Sequence, residues 1–242
     1  MAGMGRNRRL NWAISTVPQA GLQGRVGYQP RGKVVGGCSS VNAMIYLRGQ
    51  PQDYDDWAAM GNPGWSWEEV KPWFLKAQHQ ERGADAFHAQ GGPLNVADLQ
   101  QPNPLSLDFV EAAVQAGHLR NPDFNGASQE GAGLYQVTQK AGERCSAAKA
   151  YLTPHLHRRN LQLRKGAQVL RILMTATEQG LRATGVEYLC AGVRHTVYAR
   201  REVLLSAGAL LSPHILMLSG IGPAAHLQSV GVRVVQALAR GG

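Results

Sequence analysis

Covalent cross-linking is the first thing this chain lacks. Its three cysteines, Cys38, Cys145 and Cys190, are odd in number, widely spaced and without a Cys-x-x-Cys pair. Nothing here supports a disulfide framework or a zinc site, and a reducing, cytoplasmic setting is expected. The opening stretch MAGMGRNRRLNW carries charge but no apolar core, so no secretory leader is expected. Repeats and low-complexity tracts are absent. Charged residues make up only 17% of the chain, and although the net charge is +9, the basic residues are scattered. The densest cluster, Arg6, Arg8 and Arg9, reads as a solvated terminus, so no nucleic-acid partner is expected. Eight histidines are present, yet none forms a catalytic constellation. His155 and His157 flank a single leucine with no third ligand nearby, so no metal and no catalytic residue is assigned. The paired carboxylates Asp55–Asp56 and Glu68–Glu69 read as solvated helix faces. A strand followed by Gly-x-Gly-x-x-Gly is also missing; Gly3, Met4 and Gly5 imitate it poorly, since no strand precedes them.

Long hydrophobic runs are scarce too. From Val203 to Gly222 there are 20 residues without Asp, Glu, Lys or Arg, enough in length to cross a bilayer. Gly208, Ser212, Pro213, His214, Ser219 and Gly220 break the run. It reads as a buried strand at Val203–Ser206, a turn, and a helix capped by Ser212, begun by Pro213 and closed by Gly220. No transmembrane segment is expected.

What is present is a folded composition, 242 residues at 44% hydrophobic, organised around Gly32 to Gly49, GKVVGGCSSVNAMIYLRG. Gly36 and Gly37 precede three small residues and an apolar run containing Asn42. Without a Cβ, a ligand can lie against the backbone, and turn N–H groups can face phosphate oxygens. The same pattern serves a tight loop entering a helix. A helix over Val41–Leu47 would put its N-terminus toward an anion. Two helical pieces, Asp53–Trp57 and Trp65–Gln78, follow, the second with a Ser66/Glu69 capping box. Trp57, Trp65, Trp67 and Trp73 are expected to form a packed aromatic cluster. Glu81–Pro93 reads as a flexible surface loop, a candidate lid. Leu105–Ala116 has helical spacing and ends at Gly117; Asn121–Gly133 is loop, and Cys145–Leu152 is short and helical. Four strand-like runs come next, Leu161–Arg164, Gln168–Met174, Ala183–Leu189 and Val193–Ala199, in an antiparallel meander. Val203–Ser206 would then return to a parallel sheet, whose carboxyl edge is where ligands bind.

Three stretches resemble the first signature region of the glucose-methanol-choline oxidoreductases: Arg31–Gly49, DYDDW (Asp53–Trp57) and GNPGWSWEEVKPWF (Gly61–Phe74). SAGALLSPHILMLSGIGP (Ser206–Pro223) resembles the second signature. NPDFNGASQEGAGLYQ and RCSAAKAYL between them are also similar, so the likeness runs from Asn11 to about Ala239. It implies an α/β fold: part of an FAD-binding sheet (1–45), an inserted cap or substrate domain (46–160), and a further FAD-binding part with the meander (161–242). By the resemblance, Val34, Gly36, Gly37, Asn42, Ala43, Met44 and Ile45 line the flavin and its diphosphate, and the Val169 backbone meets the adenine, although a core valine would suit that strand equally. Choline oxidases in this family tether the flavin through a histidine just before the asparagine; here that position is Val41, so dissociable FAD is expected. The implied activity is oxidation of a primary alcohol such as choline or an aliphatic or aromatic alcohol, with an unidentified electron acceptor. The family's glycine-rich adenosine loop and its C-terminal catalytic histidine find no counterpart. An internal piece of a larger oxidoreductase is therefore expected, one that a partner chain could complete, or else a remnant that holds no FAD alone.

Overall fold

The computed structural model describes residues 7–238. Gly3, Met4, Gly5 and Arg6 lie outside the described residues. The chain is a mixed α/β molecule that divides into two compact units, Met1–Gln162 and Leu163–Gly242.

The first unit opens with two short antiparallel strands, β1 (Ile14–Ser15) and β2 (Tyr28–Gln29), and then enters the glycine-rich turn. Helix α1 (Pro51–Ala59) follows, begun by a proline whose missing N–H costs nothing there. Helix α2 (Trp67–Ala77) starts at the Ser66/Glu69 capping box, with Ser66 N donating to Glu69 Oε2 at 3.1 Å. Tyr54 on α1 is buried among the rings of Trp57, Trp67 and Phe74, with centroids 5.6–5.7 Å away, and Trp65 stacks edge-on against Trp57. Trp73 departs from the expected cluster. It is 66% exposed and lies under the Lys76 ammonium instead.

Strand β3 (Gln78–Gln80) pairs in parallel with β4 (Leu94–Val96). The crossover between them was expected as a loose lid, and it is tied down. Gln80 N bonds Ala89 O at 2.9 Å, Gly92 N bonds Gln78 O at 3.0 Å, and Asp85 Oδ1 accepts from the amides of Phe87 and His88. Helix α3 (Pro104–Gln115) is capped by Asn103, whose side chain accepts from Leu105 N. A tight hairpin, β5 (Gln139–Lys140) and β6 (Glu143–Arg144), leads into one wide helical turn at Ala148–Leu152.

The interior of this unit is polar. Gln78, Gln80, His88, Gln136 and Arg48 are all at least 95% buried. Arg48 donates to Gln78 Oε1 and to Phe87 O, so the Gln78 amide nitrogen must face His88 Nδ1, 3.0 Å away. Gln80 Nε2 also reaches that nitrogen at 3.3 Å, and His88 Nε2 lies 2.8 Å from Asp123 Oδ2. Two amide donors on Nδ1 leave the ring proton on Nε2, donated to Asp123.

The second unit is a three-stranded antiparallel meander, β7 (Ala167–Thr177), β8 (Gly180–Cys190) and β9 (Val193–Tyr198), in that spatial order. Helix α4 (Leu211–Leu218), β10 (Ile221–Gly222), α5 (Ala224–Ser229) and β11 (Gln236–Ala237) follow, with β10 and β11 parallel. Two expected strands are not formed: Leu161–Arg164 and Val203–Ser206 are irregular, and Leu204 is 80% exposed. A strand is held by a hydrogen-bonded neighbour, and none of the described residues supplies one to either run. The α4 start also shifts: Ser212 lies inside the helix, its Oγ accepting from Ala207 N at 3.0 Å. No helix among the described residues is long and apolar enough to cross a membrane.

Candidate functional site

The glycine-rich stretch folds as a turn and not as the entry to a long helix. Gly37 N donates to Val34 O at 2.8 Å, and Gly36 and Gly37 both take left-handed backbone, at φ 89° and 55°. A Cβ at Gly36 would stand 2.4 Å from Ser40 Oγ and 3.1 Å from the Ala148 methyl, so that face is filled. At Gly37 nothing lies within 4 Å of where a Cβ would be. One face of the diglycine is thus packed and the other is open to a ligand.

A single 3₁₀ turn, Gly37–Ser40, follows, and the hydroxyls lock it: Ser39 Oγ donates to Gly36 O at 2.6 Å and Ser40 Oγ to Val35 O at 2.8 Å. The helix expected over Val41–Leu47 does not form. Asn42 Oδ1 accepts from Met44 N at 3.0 Å, an alternative to helical bonding, and Met44 itself is left-handed at φ 66°. Beyond it the chain runs extended, Ile45 bridging to Val137 while Met44 O accepts from Thr138 N at 2.8 Å.

A segment a hundred residues downstream buttresses this turn. Ala147 N donates to Ser39 Oγ at 2.9 Å, and Arg144 Nη1 donates to Ser39 O at 3.1 Å and to Asn42 Oδ1 at 2.9 Å. The hairpin ahead of it turns through Ala141 and Gly142, both with positive φ (49° and 77°), which is the twist a two-residue hairpin requires. Arg144 was not legible as a neighbour of this turn. RCSAAKAYL carried a resemblance but no periodicity that would point Arg144 at Asn42.

Val34, Gly36, Gly37, Asn42, Ala43, Met44 and Ile45 therefore lie along one continuous stretch of the first unit. Val169 lies in the second, on β7, which is an edge strand with β8 on one side only. Leu170 is an extra residue opposite the Tyr188–Glu187 step, so the ladder is interrupted next to Val169. On the outer side Ser219 Oγ accepts from Ile172 N at 2.8 Å, and a cleft of 510 Å³ runs past residues 171–174, 218–220 and 232–235. A free strand edge offers main-chain donors and acceptors to a planar heterocycle. Taken separately, the open diglycine face with its neighbouring guanidinium in the first unit has the chemistry to meet a diphosphate, and the β7 edge beside Val169 in the second has main-chain groups that suit a planar base.

The family profile described as GMC oxidoreductase matches residues 13–238. The chain belongs to the GMC oxidoreductases. It is 47% identical over 227 residues to the mitochondrial choline dehydrogenase of Homo sapiens, covering 94% of this chain and 38% of that protein. It is 41% identical over 241 residues to an alcohol dehydrogenase [acceptor] of Pseudomonas putida, covering 98% of this chain and 43% of that one. Pyridoxine 4-oxidase from Mesorbium loti superposes with a TM-score of 0.87 at 33% identity, over 98% of this chain and 46% of its own. An FAD-dependent oxidoreductase from Chaetomium thermophilum gives 0.86 at 32% identity, over 95% and 42%. This GMC oxidoreductase chain thus spans less than half the length of the relatives it matches.

Proposed function

We propose that this chain is the flavin-cradling portion of an FAD-dependent oxidoreductase that acts on the CH–OH group of a primary alcohol, choline or an aliphatic or aromatic alcohol. The observation that carries it is the diglycine turn, filled on one face by Ala148 and Ser40 and open on the other, within a chain of this family. Val34, Gly36, Gly37 and Asn42–Ile45 would hold the flavin and its diphosphate, and the Val169 main chain the adenine. Bound FAD would supply the hydride acceptor; the residues of this chain bind and orient it. Val41, directly before Asn42, has no nucleophilic atom, which supports a dissociable flavin.

A second reading has its own support. The chain spans 38% of the human relative, and apolar side chains such as Leu204 stand 80% exposed, so a fragment that holds FAD only when another polypeptide completes it is the competing reading.

Incubation with FAD, removal of free cofactor and a visible spectrum separate the two. Retained flavin bands, released by acid precipitation of the protein, are the expected result. A colourless protein would leave the second reading.

A further inference from the structure

Arg144 is half-buried beside the diglycine turn, and among the described residues no carboxylate pairs with it. The adjacent Glu143 is taken by Lys149. Arg144 Nη1 is committed to Ser39 O and Asn42 Oδ1, which leaves Nε and Nη2 without an acceptor among the described residues. Asn42 Oδ1 receives a second donor, Met44 N. A guanidinium and a backbone amide can only donate, so this atom is the carbonyl oxygen and the carboxamide cannot flip. The other end of Asn42 is then an N–H₂ group on an exposed residue, again with no acceptor among the described residues.

The approach is built from the far side. Register in the hairpin sets Arg144 opposite Gln139, and Gln139 Nε2 reaches Met44 Sδ at 3.6 Å while Thr138 holds Met44 O. Asn42 to Met44 is gripped at three points by residues 138–144. We propose that Arg144 is a positioning residue of the flavin site: it fixes the Asn42 carboxamide so that its N–H₂ is presented to acceptor oxygens of the bound cofactor. This rests on the flavin reading above. The oxygens could belong to the isoalloxazine carbonyls or to the diphosphate, and the test separates them.

The 242-residue chain is titrated with FAD, with riboflavin, which lacks the diphosphate, and with ADP, which lacks the ring. Flavin affinity is read by fluorescence quenching and ADP affinity by calorimetry. Arg144→Met and Asn42→Ala are each expected to weaken FAD binding about 10–100-fold, the loss of a charge-assisted hydrogen bond. The double variant should be no weaker than the poorer single, because both remove one interaction. A ring contact carries the loss over to riboflavin and displaces the visible band of residual bound flavin; a diphosphate contact carries it over to ADP. Arg144→Lys should recover part of the affinity, and Arg120→Met, an equal charge loss at a surface ion pair, none of the deficit. Circular dichroism and melting temperature report folding for each variant, and the Lys and Asn42→Ala arms decide the matter if Arg144→Met unfolds. Wild-type affinity in Arg144→Met, or losses that simply add in the double variant, overturns the proposal and leaves the flavin reading intact. A wild-type chain that takes up no FAD overturns both.

Discussion

At Asp98 burial pushes the carboxyl upward, but hydrogen bonds from Arg82 and Gln136 and the Arg82 charge outweigh it, so it sits below its ordinary 3.8. A carboxylate with a depressed folded pKa contributes stability that is complete above the unfolded value and is lost as pH falls through the folded one. Acid unfolding should therefore begin as pH drops below 3.8, and Asp98→Asn should flatten the pH dependence of denaturant midpoints there while lowering stability at pH 7. Parallel acid limbs for the two proteins would refute this. The effect is small, because half of the Asp98 side chain meets solvent. Through Gln136 this carboxylate also orients Gln80, and hence helps assign the His88 proton. Such a network is invisible in the sequence: Gln78, Gln80, His88 and Gln136 look like surface residues until the fold buries them. Gly36, Gly37 and Asn42 were legible as candidates, because their chemistry is local. Arg144 was not, because it acts 102 residues from its partner.

Elements with a local cause were legible in the sequence. The Ser66/Glu69 box starts α2, the Gly117 stop ends α3, and glycines at 180 and 192 turn the meander. Elements whose cause is a neighbour were not. Leu161–Arg164 and Val203–Ser206 have strand composition and no ladder, and residues 41–47 have helical composition but are diverted by the Asn42 side chain. The β5–β6 hairpin has a different flaw, a non-glycine residue, Ala141, at φ 49°. Its Cβ crowds the carbonyl there, so Ala141→Gly should stabilise the first unit by up to about 1 kcal/mol. Thermal denaturation should show a melting point a few degrees higher; a lower one would mean that chain entropy outweighs the relief of strain.

For the whole molecule the balance of surface and core is unusual. Among the described residues eleven apolar side chains are buried, matched by eleven polar ones. The accessible surface is 16,981 Å², whereas two independently folded units of these lengths would expose about 12,500 Å². Phe109, Leu105, Leu119 and Leu204 each stand 74–80% exposed. The purified chain should bind a hydrophobic fluorescent dye strongly and self-associate as its concentration rises, by sedimentation or light scattering. A dye-negative monomer would show that this surface is covered in solution. The grip of Ala147 on Ser39 has a consequence in time, since the two residues are 108 positions apart. During synthesis the diglycine turn leaves the ribosome without its buttress and waits roughly 5–20 s for the segment that gives it shape. A cofactor present from the start would meet an unshaped loop, and the cradle would be ready only once Ala147 had been made.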